Sequence, residues 1–539
     1  MTLDVKTGKL SLSMLGEEMN VDCCITAAGI GSRFIPFSSF ANKALAPVPF
    51  KPLICELIDL LPSSSDVHIV TGYGRDDLIH IVKLFCPEKT IYEQRNHDFA
   101  KTGMGDSILP ILEKQVNPLC IFPNDGIYKR MPPLQFDVSI DFVLGFVRAS
   151  DVDNPSDYLL LSADTDGYLQ SFKRNELIYD PSLSHQLVFT GFMYIRDPQG
   201  FAGLLKACES PRELYSPFDK IIEYRSKCQC IEVQWTDCGT YPKYKAYISS
   251  ISSYDFSKEE ETLLLERGKP VVKIFKDKSV AIKRVTKAQS YPKAFPECTL
   301  LPSGSGYYYD YISGNTLYSD CSVSNLRRLL SFLDHHLWSP REDIILEEDA
   351  KSFYEEKTKS RIALLQSKYD LNKIKRINQS CIPPSGLIPD FNYKLFVNNS
   401  VPSPIHGDLQ YDNVLINADE IVLLDWRHEF GNNNLYGDLY YDFSKLIGGI
   451  LINYQRIKDA DFHCELSDDG TSITWSYIQD SYSEEHLLVL SEFIISKGFN
   501  LKHCWQLLSL IYMNMAPLHH YPFDLMLLAM SHDIYEKHR

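Results

Sequence analysis

The sequence predicts an α/β protein built from two successive domains. Its 539 residues exceed one ordinary domain, and each half is long enough to bury a core of its own. The first half alternates short apolar runs of strand length with segments whose apolar residues recur at helical spacing, the pattern of a parallel sheet flanked by helices on both faces. Near residues 250 to 270 the text turns Ser-rich and then charged, and from about Ser322 helices dominate. The predicted boundaries are 1–250 for the first domain (core 21–247), 251–270 for a linker and 271–539 for the second domain.

The elements follow in order. "VDCCITAAGIGSRF" is a buried strand running into a glycine turn, and "KPLICELIDLL" has helical spacing. "DVHIVTGY" and "PLCIFPNDG" are further strands around the helix "DDLIHIVKLF". Strand-rich text continues through "IDFVLGFV" and "QLVFTGFMYI". In the second half, "VVKIFKDKSVAIKRV" reads as a hairpin of two short strands and "YYYDYISG" as one more strand. "AKSFYEEKTKSRIALLQSKY" and "SEEHLLVLSEFIISKGF" read as helices. The apolar tail from Trp505 to Met530 reads as core, with a homodimer surface as the other option.

Bulk properties exclude some classes. A net charge of −16 argues against a general nucleic-acid binder. No apolar run is long enough to span a membrane, and the polar start "MTLDVKTGKLSLSMLGEEMN" lacks a secretory core segment. The 14 cysteines show no repeating frame, as expected of reduced thiols in a cytoplasmic protein, and Cys228, Cys230 and Cys238 have poor zinc spacing.

The first strand ends in Ala28-Gly29-x-Gly31-Ser32-Arg33, whose backbone N–H groups can wrap a triphosphate while the arginine supplies charge. Lys43 and Lys51 follow in "NKALAPVPFKPLI". Together these resemble the opening of the sugar nucleotidyltransferases, with Asn42 in place of the usual proline. "YEQRNHDFAKTGMGDSIL" resembles that family's base-reading segment through Gln94, Gly103 and Gly105, which implies a pyrimidine nucleotide such as CTP or UTP. "FPNDG" and "WTDCGTYPKYKAY" resemble its metal-binding strand ends, and "VFTGFMYI", with Gly191, its later strand. The resemblance implies a Rossmann-like fold, Mg²⁺ held by Asp125 and Asp237, and Arg33 and Lys43 as the catalytic cations. A sugar-phosphate oxygen would attack the α-phosphorus and expel pyrophosphate. The family's E-K-P stretch is absent; Lys173 or Arg174 in "DGYLQSFKRNEL" would meet the acceptor phosphate instead.

"HGDLQYDNVLINADEIVLLDW" carries a second chemistry. Asp408 can accept the proton of a hydroxyl being phosphorylated, His406 can brace its loop, and Asn413 and Asp425 can hold Mg²⁺ against nucleotide phosphates. "VLINADEIVLLD" reads as a hairpin that returns Asp425 to Asn413. The block resembles the aminoglycoside phosphotransferase and choline kinase family, which implies a protein-kinase-like fold and ATP as donor. Asp438 and Asp442, in "YGDLYYDFSKL", take structural roles. Lys283, in "SVAIKRV", is the candidate phosphate lysine, with Lys273 and Lys276 as competitors. With no glycine-rich loop and no following Glu-bearing helix, the N-lobe reads as reduced.

The two chemistries are consecutive steps. A kinase makes a phosphomonoester, and a nucleotidyltransferase joins it to an NTP. The expected acceptor is a sugar phosphorylated at its anomeric hydroxyl, giving an NDP-sugar for capsule, lipopolysaccharide or glycan synthesis. The alternatives are choline or another amino alcohol carried to a CDP-alcohol through an aromatic cage (Trp426, Trp505 and the "YYYDY" cluster), or an active transferase with a regulatory pseudokinase.

Overall fold

The computed structural model describes residues 21–130, 132, 136–174, 186–224, 226–251, 260–383, 386–418 and 420–539. The N-terminal 20 residues and residues 252–259 of the expected linker lie outside them. The chain divides into two compact units, Met1–Lys276 and Asp277–Arg539.

The first unit is mixed α/β with a Rossmann-like arrangement. Strands β1 (Asp22–Ala27), β2 (Val67–Thr71), β3 (Ile91–Arg95) and β4 (Leu119–Pro123) are parallel, in the order β4-β1-β2-β3. Helices α1 (Leu53–Leu60), α2 (Arg75–Phe85) and α3 (Met104–Leu112) connect them. Each helix turns an apolar stripe inward, as with Leu78, Ile81, Val82 and Phe85 of α2.

An all-parallel sheet is not what forms. The later strands β6 (Phe142–Arg148), β7 (Leu159–Ala163), β8 (Leu169–Arg174) and β9 (Leu187–Ile195) add antiparallel pairs, β9 joining β4, β6 and β7, and β8 joining β7. Strand β10 (Cys228–Glu232) runs parallel to β6. A separate ribbon pairs β5 (Gly126–Tyr128) with β11 (Trp235–Asp237), setting Asp237 opposite Gly126. Helix α4 (Tyr241–Ile251) follows. Part of the expected linker is strand: β12 (Glu261–Leu264) pairs with β13 (Val271–Phe275).

The order of β1 and β4 positions a site. The chain leaves β1 for β2 on one side and returns to β4 on the other. The carboxyl ends of β1 and β4, paired at Thr26 and Pro123, therefore flank a topological switch point, where open α/β sheets bind ligands.

The second unit opens with helix α5 (Lys278–Ser290), capped by the Asp277 side chain on the Ser279 N–H. The hairpin expected over "VVKIFKDKSVAIKRV" is thereby corrected: only its first five residues are strand. The letters V-A-I-K look strand-like, but Asp277 is a strong N-cap, and the run after it has helix-forming Ala, Lys and Arg without Gly or Pro. A 13-residue helix thus follows the strand, and it carries no Glu.

Strands β14 (Thr299–Leu300) and β15 (Gly306–Tyr309) pair, as do β16 (Val414–Ile416) and β17 (Ile421–Leu423). Helix α6 (Val323–His336) precedes a longer helical run. That run is α-helical in α7 (Glu347–Lys351), makes a π turn over Ser352–Glu356, and resumes as α8 (Lys357–Lys368). Helix α9 (Leu439–Leu451) is buried along its whole length. With α10 (Leu501–Met515) and α11 (Phe523–His538) it forms the core of the unit, so much of the apolar tail is interior. No helix among the described residues is long and apolar enough to cross a membrane.

Candidate functional sites

In the first unit the glycine turn after β1 reaches the switch point. Gly31 has φ 69°, a left-handed value that a side chain would strain, and it starts the short turn Ser32–Phe34. A cavity of about 310 Å³ opens there, and Ala28, Gly29, Gly31, Lys43, Gly103 and Asp125 are in its wall. Asn42, where the related pattern has proline, is an interior tie. Its amide donates to the Ala27 and Tyr73 carbonyls and its oxygen accepts from Ala44 N–H at 2.8 Å, which fixes the turn carrying Lys43.

Lys43 lies between two carboxylates. Its Nζ donates to the Gly239 carbonyl at 3.3 Å. Burial lowers its pKa, against the pull of Asp125 and Asp237. Asp125 follows β4 and is pushed the other way: burial raises its pKa, with Lys43 opposing. Asp237 ends β11. Burial works against its charge, but Lys243 (Nζ to Oδ2 2.7 Å), the Tyr158 hydroxyl and the Gly239 N–H (2.6 Å) outweigh it and hold its pKa down. Lys243 and Tyr158 were missed in the sequence; Lys243 sits on α4, six positions past Asp237.

Other expected residues lie elsewhere. Ser32 and Arg33 are exposed on the turn and outside the cavity wall, although Arg33 is near enough to act electrostatically on Lys43 and Asp125. Gln94 is on β3, with its amide donating to the Arg95 carbonyl at 3.1 Å, and it too lies outside the wall. Gly103 and Gly105 open α3 against the Arg212 carbonyl, which a Cβ on Gly103 would approach to 2.2 Å. Gly191 interrupts β9 with φ 84° over the Pro123 ring. Lys173 is exposed on β8, away from the cavity wall, and Arg174 ends the same strand.

In the second unit the loop before β16 and the turn after β17 come together. Asn413 Nδ2 donates to the Asp408 carbonyl at 2.8 Å, and Leu424 N–H to the Asn413 carbonyl at 2.8 Å. This seats Asp425, whose φ of 56° is left-handed, beside Asn413. His406 is fully buried, and burial lowers its pKa to about 3. Its Nδ1 accepts from the Asp408 N–H at 3.1 Å, so Nε2 carries the proton and donates to the Leu424 carbonyl at 2.7 Å. Asp442 accepts from the N–H groups of His406 and Gly407, both at 2.7 Å, and from the Trp338 indole at 3.1 Å. Asp438 accepts from Val401, Tyr440 and Tyr354.

Lys445 is the residue sequence reasoning overlooked. It lies on α9, 5% exposed, with Nζ 2.7 Å from Asp408 Oδ1. Burial pushes the Asp408 pKa up, but Lys445 and Arg427 prevail and hold it at about 2. A lysine inside the otherwise apolar "FSKLIGGIL" was the available signal. Lys283 lies on helix α5, not on a strand, and pairs with Glu429. Of its competitors, Lys273 is the one on a strand, β13. Trp426 is fully buried, donates to the Arg284 carbonyl at 3.0 Å and packs on Phe295 and Tyr307, while Trp505 stacks on His538, so the two indoles expected in an aromatic cage are engaged elsewhere.

Among the described residues no group of three or more His, Cys, Asp or Glu side chains forms a metal cage. Mg²⁺ does not need one, because one or two carboxylates suffice when water and phosphate oxygens complete its shell. Asp125 would fit that role: it lies at the cavity wall, no side chain among the described residues donates a hydrogen bond to it, and Lys43, with a smaller contribution from Arg33, opposes the effect of its burial. Asp237 fits it less freely, since Lys243 already neutralises it. In the second unit Asn413 Oδ1 and Asp425 would be the corresponding donors for such an ion.

No family model matches the chain. It is 23% identical over 232 residues to the bifunctional protein GlmU of Methanococcus maripaludis, which covers 41% of this chain and 51% of that protein. The chain thus spans about half the length of that curated relative. A CTP:phosphocholine cytidylyltransferase of Streptococcus pneumoniae (LicC) aligns at 17% identity and TM-score 0.35, over 43% of this chain and 100% of its own. A UDP-glucose pyrophosphorylase complexed with UDP-glucose aligns at 17% identity and TM-score 0.37, over 43% and 98%. The N-terminal half resembles sugar-1-phosphate nucleotidyltransferases.

Proposed function

We propose that the first unit joins a phosphomonoester to a nucleoside triphosphate with release of pyrophosphate, and that the second unit makes the phosphomonoester from ATP and a hydroxyl compound, a sugar in the first instance. One observation carries the transferase reading: Asp125, Lys43 and the Gly29–Gly31 turn meet at one cavity at the switch point of the sheet. Backbone N–H groups of the turn would cradle the triphosphate, and Lys43 would neutralise charge as it moves to the leaving pyrophosphate. Mg²⁺, held by Asp125 with Asp237, would polarise the attacked phosphate. No covalent intermediate on the protein is needed.

For the kinase step, Asp408 would take the acceptor's proton, and Asn413 and Asp425 would hold a metal ion that supplies positive charge to the ATP phosphates. The loop is preorganised for this by the bonds of His406 and Asp442 to its backbone. The test is a one-pot mass-spectrometric screen of free sugars and amino alcohols with ATP, Mg²⁺ and each of CTP, UTP, dTTP and GTP. An NDP product with ADP and pyrophosphate is expected. It should vanish in Asp125→Ala, with the phosphomonoester accumulating, and in Asp408→Ala, with supplied phosphomonoester restoring it. Unaltered product formation in either variant would remove that half of the reading.

A further inference from the structure

The surroundings of Asp408 are rich in positive charge. Lys357 and Arg361 project from α8, Arg427 from the turn after Asp425, and Lys445 from α9. Lys357 Nζ and the Arg427 guanidinium share one ring, 4.0 and 5.3 Å from the centroid of Phe353. Arg427 Nε donates to the Gly407 carbonyl at 3.1 Å, immediately beside Asp408, and its N–H donates to the His406 carbonyl at 2.9 Å. Lys445 takes up the Asp408 carboxylate at 2.7 Å.

No carboxylate among the described residues pairs with Lys357, Arg361 or Arg427 within 4 Å, and all three are half-buried. Like charges crowded into partly desolvated space repel, and such a cluster is stable only at a cost unless an anion joins it. The charge felt by Lys357 comes from Arg427, Arg361, Lys445 and Asp408, which places the cluster at Asp408. A cationic acceptor such as choline would meet Arg361 and Arg427, neither paired with a carboxylate among the described residues, while Lys445 is already taken up by Asp408.

We infer that the acceptor phosphorylated at Asp408 is itself an anion, a hydroxyl compound carrying a carboxylate or phosphate group that Lys357, Arg361 and Arg427 bind. The assignment rests on the kinase reading of the second unit. In the step, the acceptor O–H loses its proton to Asp408, its oxygen forms a bond to the γ-phosphorus, and the bond from that phosphorus to the bridging oxygen of ATP breaks to leave ADP. The product then bears two acidic groups. A γ-phosphate is the other anion these cations could meet, and the test separates the two sources.

The full-length protein and its Lys357→Gln/Arg361→Gln double variant are compared, both first shown to melt alike. Each is saturated with a non-hydrolysable ATP analogue and Mg²⁺ and titrated calorimetrically with inorganic phosphate. Matched acceptors (glucose, glucosamine, glucuronate and glucose 6-phosphate, with glycerol, choline and glycerate) are then assayed for ADP formation. One phosphate-binding event present in the parent and weakened about a hundredfold in the variant is expected, because two cationic hydrogen-bond donors to the anion are replaced by neutral amides. Turnover confined to anionic acceptors, with KM for the acceptor raised and KM for ATP unchanged, is the matching kinetic result. Identical phosphate isotherms, or turnover of neutral or cationic acceptors that the variant leaves unaltered, would overturn the anion site while leaving the kinase. A raised KM for ATP alone would reassign the cations to the nucleotide and overturn it equally. Phosphate binding without turnover of any acceptor would retain the anion site and remove the kinase reading.

Discussion

Replacing Asp442 tests the account of the second site without presuming its chemistry. The carboxylate is fully buried and serves three donors: Gly407 N–H on Oδ1, and His406 N–H and Trp338 Nε1 on Oδ2. Asp442→Ala strands all of them. Each buried donor left without an acceptor costs about 1–3 kcal/mol, and relief from burying the carboxylate returns part of the total. A net loss of about 3–5 kcal/mol is expected, a large share of the roughly 5–15 kcal/mol that holds a domain folded. Asp442→Asn keeps one oxygen and the shape, and can satisfy the Oδ2 pair while leaving Gly407 unpaired. Its loss should be about 1–2 kcal/mol, one unmade bond. The assay is urea unfolding followed by tryptophan emission. Of the 5 tryptophans only Trp235 belongs to the first unit, so the signal reports mainly on the second. At about 2–3 kcal/mol per molar urea, the alanine variant's midpoint should fall by about 1.5 M and the asparagine variant's by about 0.5 M. Midpoints within about 0.2 M of the parent, roughly the resolution of such curves, would refute the claim that Asp442 holds the loop.

Further outcomes follow from other contacts. Lys445→Met removes the cation 2.7 Å from Asp408, so ATP-dependent phosphorylation should acquire an acid limb about 1–2 pH units higher than the parent's, while Lys445→Arg restores the parent profile. An unmoved limb in the methionine variant would show that Lys445 does not set the charge of Asp408. Lys357 is held at about 6 by burial and by Arg427, Arg361 and Lys445, against Asp408. A bound anion favours its protonated form, so sulfate affinity should fall as pH rises above about 6, by up to tenfold per unit, with proton uptake seen in buffer-dependent calorimetry; constant affinity from pH 6 to 8 would contradict this. Gly103→Ala pushes a methyl against the Arg212 carbonyl, and a loss of about 1–3 kcal/mol in the first unit's thermal unfolding is expected, with no change pointing to a yielding loop.

Much of the placement was legible because short-range rules dominate it. The turn at Gly31 needs a left-handed residue, and the apolar runs Val414–Ile416 and Ile421–Leu423 flank a short polar stretch as the strands of a hairpin do, so both form as read. What escaped were relations across the chain. Strand direction in the first unit depends on which strand β9 pairs with, and no local pattern encodes that Ile195 meets Leu119. Lys283 was misplaced because V-A-I-K fits a strand by letters, while the Asp277 cap decides for a helix. Lys243 and Lys445 were not singled out in the sequence, and the fold puts each 2.7 Å from a carboxylate. Gln94 matched a motif, yet its side chain turns back to its own strand end.

The π turn at Ser352–Glu356 acts as a phase shifter between two helical segments. It holds one more residue than an α turn, so it rotates everything beyond it by about 100° relative to an uninterrupted helix. Phe353 and Tyr354, within the turn, are anchored in the core against Phe430 and Tyr441, whereas Lys357 and Arg361 lie just past it. Deleting one residue there would conserve composition, charge and helix content almost completely. It would also swing Lys357 a quarter turn from the Phe353 ring it now faces, and Arg361 with it. The charge environment of the second site is thus set by the reading frame of a helix as much as by its residues.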